Sequence, residues 1–366
     1  RLVGRHAARV LPGEGTGRAE LAALQRIQER VLWLATRMVH EANNVRPNVD
    51  KSKIGGHQAS SASMAGILTA LYFSWLRHGD RVAVKPHASP VFHAIQYLLG
   101  NLDRSYLGQL RAFGGLQSYP SRTKDPDPVD FSTGSEGMGP AATLFAAITD
   151  RYVESRFRSD ATPRRRFVAV VGDAELDEGN IWEAVADETV RNTNLGNVLW
   201  IVDLNRQSLD RVIPGIKVRE TEARFVAEGW RVLEAKYGRR LQAAYAGPGG
   251  VALRRRIDDM SNEEYQALLR LPGSEARERL ISGAAAGVRD ALTRSVAGTP
   301  DDELVGLLGD LAGHDIAELL SCFDAAGEDS KRPAVVFAYT VKGWGLPIAG
   351  NPLNHSMLLS QDQIDS

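Results

Sequence analysis

The stretch FVAVVGDAELDE at residues 167–178 decides the fold prediction, because an apolar run leads directly into a glycine and a cluster of carboxylates. Apolar runs rich in valine are typical of parallel strands that are buried on both faces of a sheet. A predicted helix at 181–191 follows, and then a second apolar run at 198–203 that leads into Asn205. This order of strand, helix and strand predicts two parallel strands whose carboxyl ends meet at one edge of a sheet.

The same alternation continues along most of the chain and predicts an α/β fold with a doubly wound parallel sheet and helices on both faces. Residues 240–330 contain many charges and no strong strand pattern, so they predict a largely helical excursion before the last strand. We expect a flexible arm at 1–18, one α/β domain over 19–345, and a loop with a tail at 346–366. The predicted strands are 81–85, 167–171, 198–203, 230–235 and 334–339, and the predicted helices include 20–43, 60–77, 91–99, 140–157, 181–191 and 219–228.

Composition excludes several classes of function. Lys and Arg total 44 against 45 for Asp and Glu, which gives no reason to expect nucleic acid or an anionic membrane as a partner. The single cysteine, Cys322, excludes an internal disulfide and a cysteine-based zinc site. No apolar run approaches the length of a membrane span. We therefore expect a cytoplasmic protein.

Asp173 and Asn205 each follow the end of a predicted strand. Adjacent strands lie about 4.8 Å apart, so both side chains can reach one ion. Magnesium prefers carboxylate and other oxygen ligands and usually also binds phosphate oxygens. A Gly-Asp pair alone does not establish such a site, because it is a common turn dipeptide and also occurs at 79–80 and 309–310.

Seven segments in chain order resemble motifs of one enzyme superfamily. Gly172-Asp173-Ala174, followed by 30 residues and Asn205, is similar to the thiamine diphosphate motif, although the family usually has glycine at position 174. The chain resembles the N-terminal, diphosphate-binding domain of the homodimeric-type pyruvate dehydrogenase first component, within the thiamine diphosphate-dependent transketolase superfamily. The segments are IGGH at 54–57, HASP at 87–90, GLQSYP at 115–120, SEGMGP at 135–140, GDAELDE at 172–178, NRQSLD at 205–210 and TVKGWG at 340–345.

The resemblance implies a cofactor site for thiamine diphosphate and Mg²⁺. It makes Asp173 and Asn205 metal ligands and adds the backbone carbonyl of Gln207. Glu136 departs from the family, which has an apolar residue there, and a carboxylate beside a diphosphate is repulsive unless it points away or meets a base. Residues expected to line the diphosphate are Gly137, Met138, Gly172, Asp173, Ala174, Glu175 and Asn205.

The resemblance also implies catalytic roles for three histidines and a lysine. His57 and His87 are expected beside the thiazolium, in contact with substrate oxygens, since imidazoles can exchange protons near neutral pH. His355 is expected on a mobile loop that closes over the site, and Lys342 can neutralise substrate or cofactor charge. Lys85 stands where the family has neutral residues, and the sequence leaves open whether it meets an anionic substrate or caps its strand.

Relatives of the family also carry a second α/β domain, which binds the aminopyrimidine ring and supplies an activating glutamate. This sequence shows no second such domain, so we expect that domain on another polypeptide, in an α2β2 heterotetramer. The expected activity is that of a two-chain enzyme, active only with its partner, which cleaves a 2-oxo acid or ketose and passes the acyl or ketol unit to an acceptor.

Three hypotheses stay open at this stage. The first is the α subunit of a split 2-oxo acid decarboxylating enzyme that resembles pyruvate dehydrogenase. The second is a split transketolase that moves a two-carbon ketol group between sugars. The third is a non-catalytic cofactor-binding subunit, to which the departures at Ala174 and Glu136 would point. Intact Asp173, Asn205 and catalytic histidines argue against the third.

Overall fold

The computed structural model describes residues 18–48, 52–157, 164–208, 211–212, 216–329 and 331–365. The predicted arm at 1–18 falls almost wholly outside the described residues. The strands are β1 (Arg81–Ala83), β2 (Phe167–Gly172), β3 (Val198–Leu204), β4 (Gln207–Ser208), β5 (Arg211–Val212), β6 (Arg231–Ala235) and β7 (Ala334–Tyr339). The α-helices are α1 (Arg18–His40), α2 (Gln58–Ala62), α3 (Ala65–Ala70), α4 (Ser89–Leu98), α5 (Met138–Phe157), α6 (Gly179–Val185), α7 (Glu188–Asn192), α8 (Ile216–Ala227), α9 (Arg239–Ala246), α10 (Gly250–Asp259), α11 (Asn262–Leu268), α12 (Gly273–Ser282), α13 (Arg289–Val296), α14 (Asp301–Leu308), α15 (Ile316–Ala326) and α16 (Gln361–Asp365).

Five strands form one parallel sheet in the order β1-β2-β3-β7-β6, which confirms the predicted architecture. Gly172 of β2 pairs with Asp203 of β3, and Asp203 in turn pairs with Ala338 of β7. The carboxyl ends of these three strands therefore lie side by side. The predicted strand 81–85 is two residues too long, because Lys85 precedes Pro86, which begins a 3₁₀-helix (Pro86–Ala88).

Alternate residues of each buried strand pack on opposite sides of the sheet. On β2, Val168 and Val170 join a core with helices α1, α3, α4 and α15. Ala169 and Val171 join a second core with α5, α6, α8 and the helices of the excursion. Two apolar cores on one sheet explain why its strands are valine-rich throughout rather than alternating with polar residues.

Two predicted helices are broken in the structure. The segment predicted as one helix at 60–77 forms α2, α3 and a π-helix (Leu71–Trp75), and near the first break the Ser63 hydroxyl donates to the Ser60 carbonyl at 3.0 Å. The segment predicted at 181–191 forms α6 and α7, because Asp187 caps a new helix by accepting from the Thr189 amide at 2.7 Å.

The excursion at 240–330 is helical, as predicted. Its helices α9 to α14 bury their leucines, among them Leu253, Leu292 and Leu304, against the second core. None of the helices in the described part of the chain combines the length and the apolarity that a bilayer span requires.

Candidate active site at the carboxyl edge of the sheet

A pocket of about 500 Å³, partly open to solvent, lies at the carboxyl ends of β1, β2 and β3. It brings together nine of the predicted site residues, whereas Gly137 and Met138 are not among its lining residues and His57 lies behind the His87 ring. The residues that line it are Ser60, Lys85, Pro86, His87, Glu136, Gly172, Asp173, Ala174, Glu175, Asn205, Gln207, Lys342 and His355.

Asp173 and Asn205 stand next to each other just beyond β2 and β3. The Asp173 carboxylate accepts backbone N–H groups from Ala174 at 2.9 Å and Arg206 at 2.7 Å. Burial, and then the nearby Asp203 charge, raise the Asp173 pKa to about 7. A buried carboxylate of this kind is stabilised in its ionised form by a bound cation. The carboxylate and amide oxygens available here suit a hard divalent cation such as Mg²⁺.

Helix α11 of the excursion holds the backbone that follows Asn205. The Gln207 side-chain amide donates to Gln266 Oε1 at 2.6 Å, and the Arg206 guanidinium lies 4.6 Å from the Tyr265 ring centroid. Arg206 adopts a φ of 61°, which is costly for a residue with a side chain and needs such support. The Gln207 Nε2 group is thereby bound within the protein, whereas its buried Oε1 atom has no hydrogen-bond partner in the described part of the chain. The backbone carbonyl of Gln207 stays the predicted metal ligand.

The Glu175 carboxylate joins two backbone segments of the pocket wall. Its two carboxylate oxygens accept the Gly137 amide at 2.9 Å and the Gly172 amide at 3.1 Å. The Gly137 amide, which the sequence assigned to phosphate, is therefore already paired, and Met138 is half exposed at the start of α5. Burial raises the Glu175 pKa.

The departure from glycine at Ala174 has a simple structural account. Ala174 has a φ of −70° and a ψ of −28°, an ordinary right-handed helical conformation that any residue adopts. Its methyl group therefore causes no backbone strain. The Glu136 carboxylate lines the pocket and lies 3.5 Å from His87 Nδ1, but burial lowers the His87 pKa to about 2, so this neutral ring does not offset the carboxylate charge.

Asp203 lies beside the pocket residues Lys85 and Asn205, and the sequence interpretation did not single it out. Its buried carboxylate accepts from Ser63 Oγ at 2.8 Å, Lys85 Nζ at 2.5 Å and Thr340 Oγ1 at 2.5 Å, and Asn205 Nδ2 donates to it at 3.3 Å. Burial opposes its ionisation, but Lys85 and the hydroxyl donors hold its pKa below the usual range. An acidic residue inside an otherwise apolar strand was the signal that could have identified it.

Three histidines meet on the other side of the pocket. The His57 ring lies 4.3 Å from His87 and 4.6 Å from His355, and the His57 Nδ1 atom is 3.0 Å from the His355 carbonyl. Lys342 Nζ lies 3.3 Å from His355 Nδ1. The structure therefore brings all four predicted catalytic residues together.

The imidazoles of His57 and His87 are neutral at physiological pH. Burial, partly offset by the hydrogen bond to the His355 carbonyl, lowers the His57 pKa to about 4; burial and neighbouring charged groups lower that of His87 to about 2. Their ligand atoms and those of His355 lie within 4.8 Å of one another, close enough for a metal ion. However, the cationic side chains of Arg111, Lys85 and Lys342 act on these rings, and they favour an oxyanion or a carbonyl oxygen over a second metal ion.

Arg111 was also missed by the sequence interpretation, and no local pattern signals it. It adopts a φ of 58°, and its guanidinium donates to the Ile54 carbonyl at 3.1 Å beside His57. Two histidines outside the motifs are buried and make contacts of their own: His93 pairs with buried Asp127 at 2.7 Å, and His314 stacks on Trp344 with ring centroids 4.7 Å apart.

Comparisons with known proteins agree with this fold. The family model for the transketolase thiamine diphosphate binding domain matches residues 41–246, more than half of the chain. The pyruvate dehydrogenase E1 component of Cupriavidus necator is 29% identical over 90% of this chain, and that of Escherichia coli is 28% identical over 90%. The chain spans 36% and 37% of the length of these two relatives.

Solved structures show the same fold at lower identity. A transketolase variant from Pichia stipitis superimposes with a TM-score of 0.64 at 19% identity and covers 93% of this chain and 39% of its own. Transketolase from Leishmania mexicana gives a TM-score of 0.63 at 17% identity, with 93% and 40% covered. At this identity the likeness concerns the fold alone.

The lowered His87 pKa has a consequence for stability. In the unfolded chain a histidine takes up a proton below about pH 6.5, whereas folded His87 stays neutral down to about pH 2. His87 therefore lowers the free energy of unfolding by about 2 kcal/mol as the pH falls from 7 to 5. We therefore expect the free energy of unfolding, measured in urea, to fall by about 2 kcal/mol less in His87→Gln than in the parent between pH 7 and pH 5. His78→Gln, at an exposed position, is the control, and an equal acid loss in all three proteins would contradict the assignment.

Proposed function

The chain belongs to the transketolase thiamine diphosphate binding domain family, and from that premise we propose that it is the diphosphate- and Mg²⁺-binding part of an enzyme that cleaves the bond next to a ketone carbonyl. The observation that carries this proposal is the adjacent placement of Asp173 and Asn205 at the end of β2 and β3, on the floor of one pocket. In parallel α/β sheets, ligands bind at the carboxyl ends of neighbouring strands, which is where these two oxygen-bearing side chains lie.

Asp173, Asn205 and the Gln207 carbonyl would hold the cation, and Gly172, Ala174 and Glu175 would line the diphosphate. When bound, the cofactor supplies a nucleophilic carbon and an electron sink for the bond that breaks. The protein's task is to anchor the charged tail, to exclude water, and to place substrate oxygens and protons. The pairing of Glu175 with two backbone amides keeps this wall of the pocket fixed.

The histidine cluster would bind the substrate side of the site. The neutral imidazoles of His57 and His87 can donate a hydrogen bond to a ketone oxygen from the ring nitrogen that carries the proton, whereas their lowered pKa values make them weak proton acceptors. Lys342 and His355 lie on the segment after β7 and complete the cluster. The surrounding cations favour a donor that carries a negative group, such as the carboxylate of a 2-oxo acid.

A donor of the 2-oxo acid class is favoured by the relatives, which are pyruvate dehydrogenase E1 components at 28–29% identity over most of this chain. A non-catalytic role is disfavoured, because Asp173, Asn205 and His87 line one pocket and the departure at Ala174 causes no backbone strain. We therefore propose an enzyme that decarboxylates a 2-oxo acid and transfers the acyl unit to an acceptor.

We further propose that a second chain completes the site with a pyrimidine-binding domain and an activating glutamate, in an α2β2 assembly. The support is an apolar stripe on α5, made of Met138, Phe145 and Tyr152, which are 50%, 46% and 60% exposed. Residues seven apart lie on one face of a helix. This stripe starts beside the pocket wall at Gly137, so a chain that covers it would reach the cofactor.

Asp173 offers the direct test of the cofactor site. We expect Asp173→Asn to bind Mg²⁺·thiamine diphosphate at least about tenfold more weakly in titration calorimetry, because the hard cation loses its charged ligand. Its melting temperature without Mg²⁺ at pH 8 should stay close to that of the parent, since ionised Asp173 is disfavoured by burial. Asp177→Asn, at an exposed carboxylate two residues beyond the pocket lining, is the control; equal affinity in both variants would refute the site.

A single charge placed on the exposed apolar stripe tests whether the stripe is an interface. Phe145→Glu should weaken assembly by at least about tenfold in sedimentation velocity, because a carboxylate in an apolar interface is costly. Val251→Glu, on the exposed face of α10, should assemble as the parent does. If both variants assemble normally, the stripe is not the interface.

The donor class can be determined once the chain is reconstituted with the protein encoded beside it, thiamine diphosphate and Mg²⁺. We expect ¹⁴CO₂ from carboxyl-labelled pyruvate or a related 2-oxo acid, and loss of this release in His87→Gln. Release of an aldose from a ketose phosphate, without CO₂ from any 2-oxo acid, would instead establish the transketolase reaction.

A further inference from the structure

A buried ammonium group stands in the wall of the proposed diphosphate pocket. Lys85 is only 5% exposed, at the point where the chain leaves β1 and turns at Pro86. Its Nζ atom is 2.5 Å from Asp203 Oδ2, and the side chain lines the pocket together with Gly172 and Asp173. Lysine is rarely buried unless its charge has a partner. The position of Lys85 therefore needs an account.

The ion pair with Asp203 does not by itself explain why Lys85 is buried at this pocket. The Asp203 carboxylate already accepts from the hydroxyls of Ser63 and Thr340 and from the Asn205 amide. An ammonium has three N–H donors, and in the described part of the chain Asp203 is the acceptor found for one of them. Two donors of a buried cation thus remain at the edge of the pocket.

The field of Lys85 extends across the whole diphosphate wall. Burial raises the pKa of Asp173, Glu175 and Glu136, and the positive charge of Lys85 partly offsets that rise in each case. A methyl group built on Gly172 would lie 3.9 Å from Lys85 Nζ, so the ammonium is next to the backbone predicted to line the diphosphate. An anion that enters this pocket therefore meets Lys85 among several carboxylates that would otherwise repel it.

We propose that Lys85 is a direct diphosphate ligand, which supplies a protein-borne positive charge beside the Mg²⁺ ion, and that Asp203 is the positioning residue that holds its ammonium against the pocket. This inference rests on the proposed function. It assigns the departure at position 85 to cofactor binding rather than to strand capping. The charge reduces the repulsion between the diphosphate and the carboxylates of Asp173, Glu175 and Glu136.

The competing account makes Lys85 a counter-ion for Asp203 and nothing more. A charge-neutral double substitution separates the two accounts, because Lys85→Gln combined with Asp203→Asn removes both charges and leaves hydrogen-bonding groups of similar size. When both members of a buried ion pair are replaced, the protein keeps much of its stability. The single variant Lys85→Gln instead leaves the buried Asp203 charge without its cation. Both accounts predict that the double variant recovers stability, but only a direct diphosphate ligand predicts that its affinity for an anion stays low.

The experiment measures thermal melting and calorimetric affinity for Mg²⁺·pyrophosphate and Mg²⁺·thiamine diphosphate in the parent, in Lys85→Gln and in the double variant. We expect the single variant to melt below the parent and the double variant to recover most of that loss. Affinity for both diphosphates should nevertheless stay about tenfold or more below the parental value in the double variant, since a charge-assisted hydrogen bond is lost. Thiamine, which has no phosphate, is the ligand control.

Two results would overturn the inference, and they are distinguishable. If the double variant binds both diphosphates as tightly as the parent, Lys85 is a structural counter-ion, while the proposed function stands. If the parent itself binds neither Mg²⁺·pyrophosphate nor Mg²⁺·thiamine diphosphate, the cofactor site fails and the role of Lys85 fails with it. An equal loss of thiamine binding in the double variant would also argue against a specific contact with the diphosphate.

Discussion

The structure depends on a single buried carboxylate, that of Asp203 at the carboxyl end of β3. Its hydrogen bonds reach Ser63 between two helices, Lys85 after β1 and Thr340 after β7. These contacts join segments that are 118 to 140 residues apart in sequence. A buried charge that is fully satisfied fixes one geometry, because any displacement leaves it unpaired at a cost of several kcal/mol. The relative positions of the cofactor wall and the histidine cluster follow from this one network.

Much of the fold was predictable, since strands buried on both faces leave a clear sequence pattern. Strand β7 is predicted to the residue, and the ends of β2 and β3 to within one. Helix ends were harder to predict, because a side chain such as Asp187 can cap a new helix inside a continuous apolar pattern. The family resemblance grouped the predicted metal ligands with His87 and His355, and these residues line one pocket. No motif indicated Asp203, Lys85 or Arg111 as a group, because their contacts depend on tertiary structure.

The site divides into two halves of different electrostatic character. The half formed by β2 and β3 is rich in carboxylates and is suited to a cation with its attached anion. The other half holds neutral imidazoles among cationic side chains and is suited to polarising a carbonyl. Lys85 lies at their boundary, close to both. In the proposed function, these opposite charges would direct a substrate and a metal ion to separate parts of one cavity.

The contact between α11 and the residues after Asn205 changes the status of the helical excursion. Tyr265 and Gln266 support Arg206 and Gln207, the two residues that follow Asn205 beyond β3. The helical excursion therefore holds the backbone on which the proposed metal ligands lie. A minimal domain that is trimmed to the sheet and its covering helices would lack this support. Transplanting the site into another scaffold would require residues 262–266 to be moved together with β3.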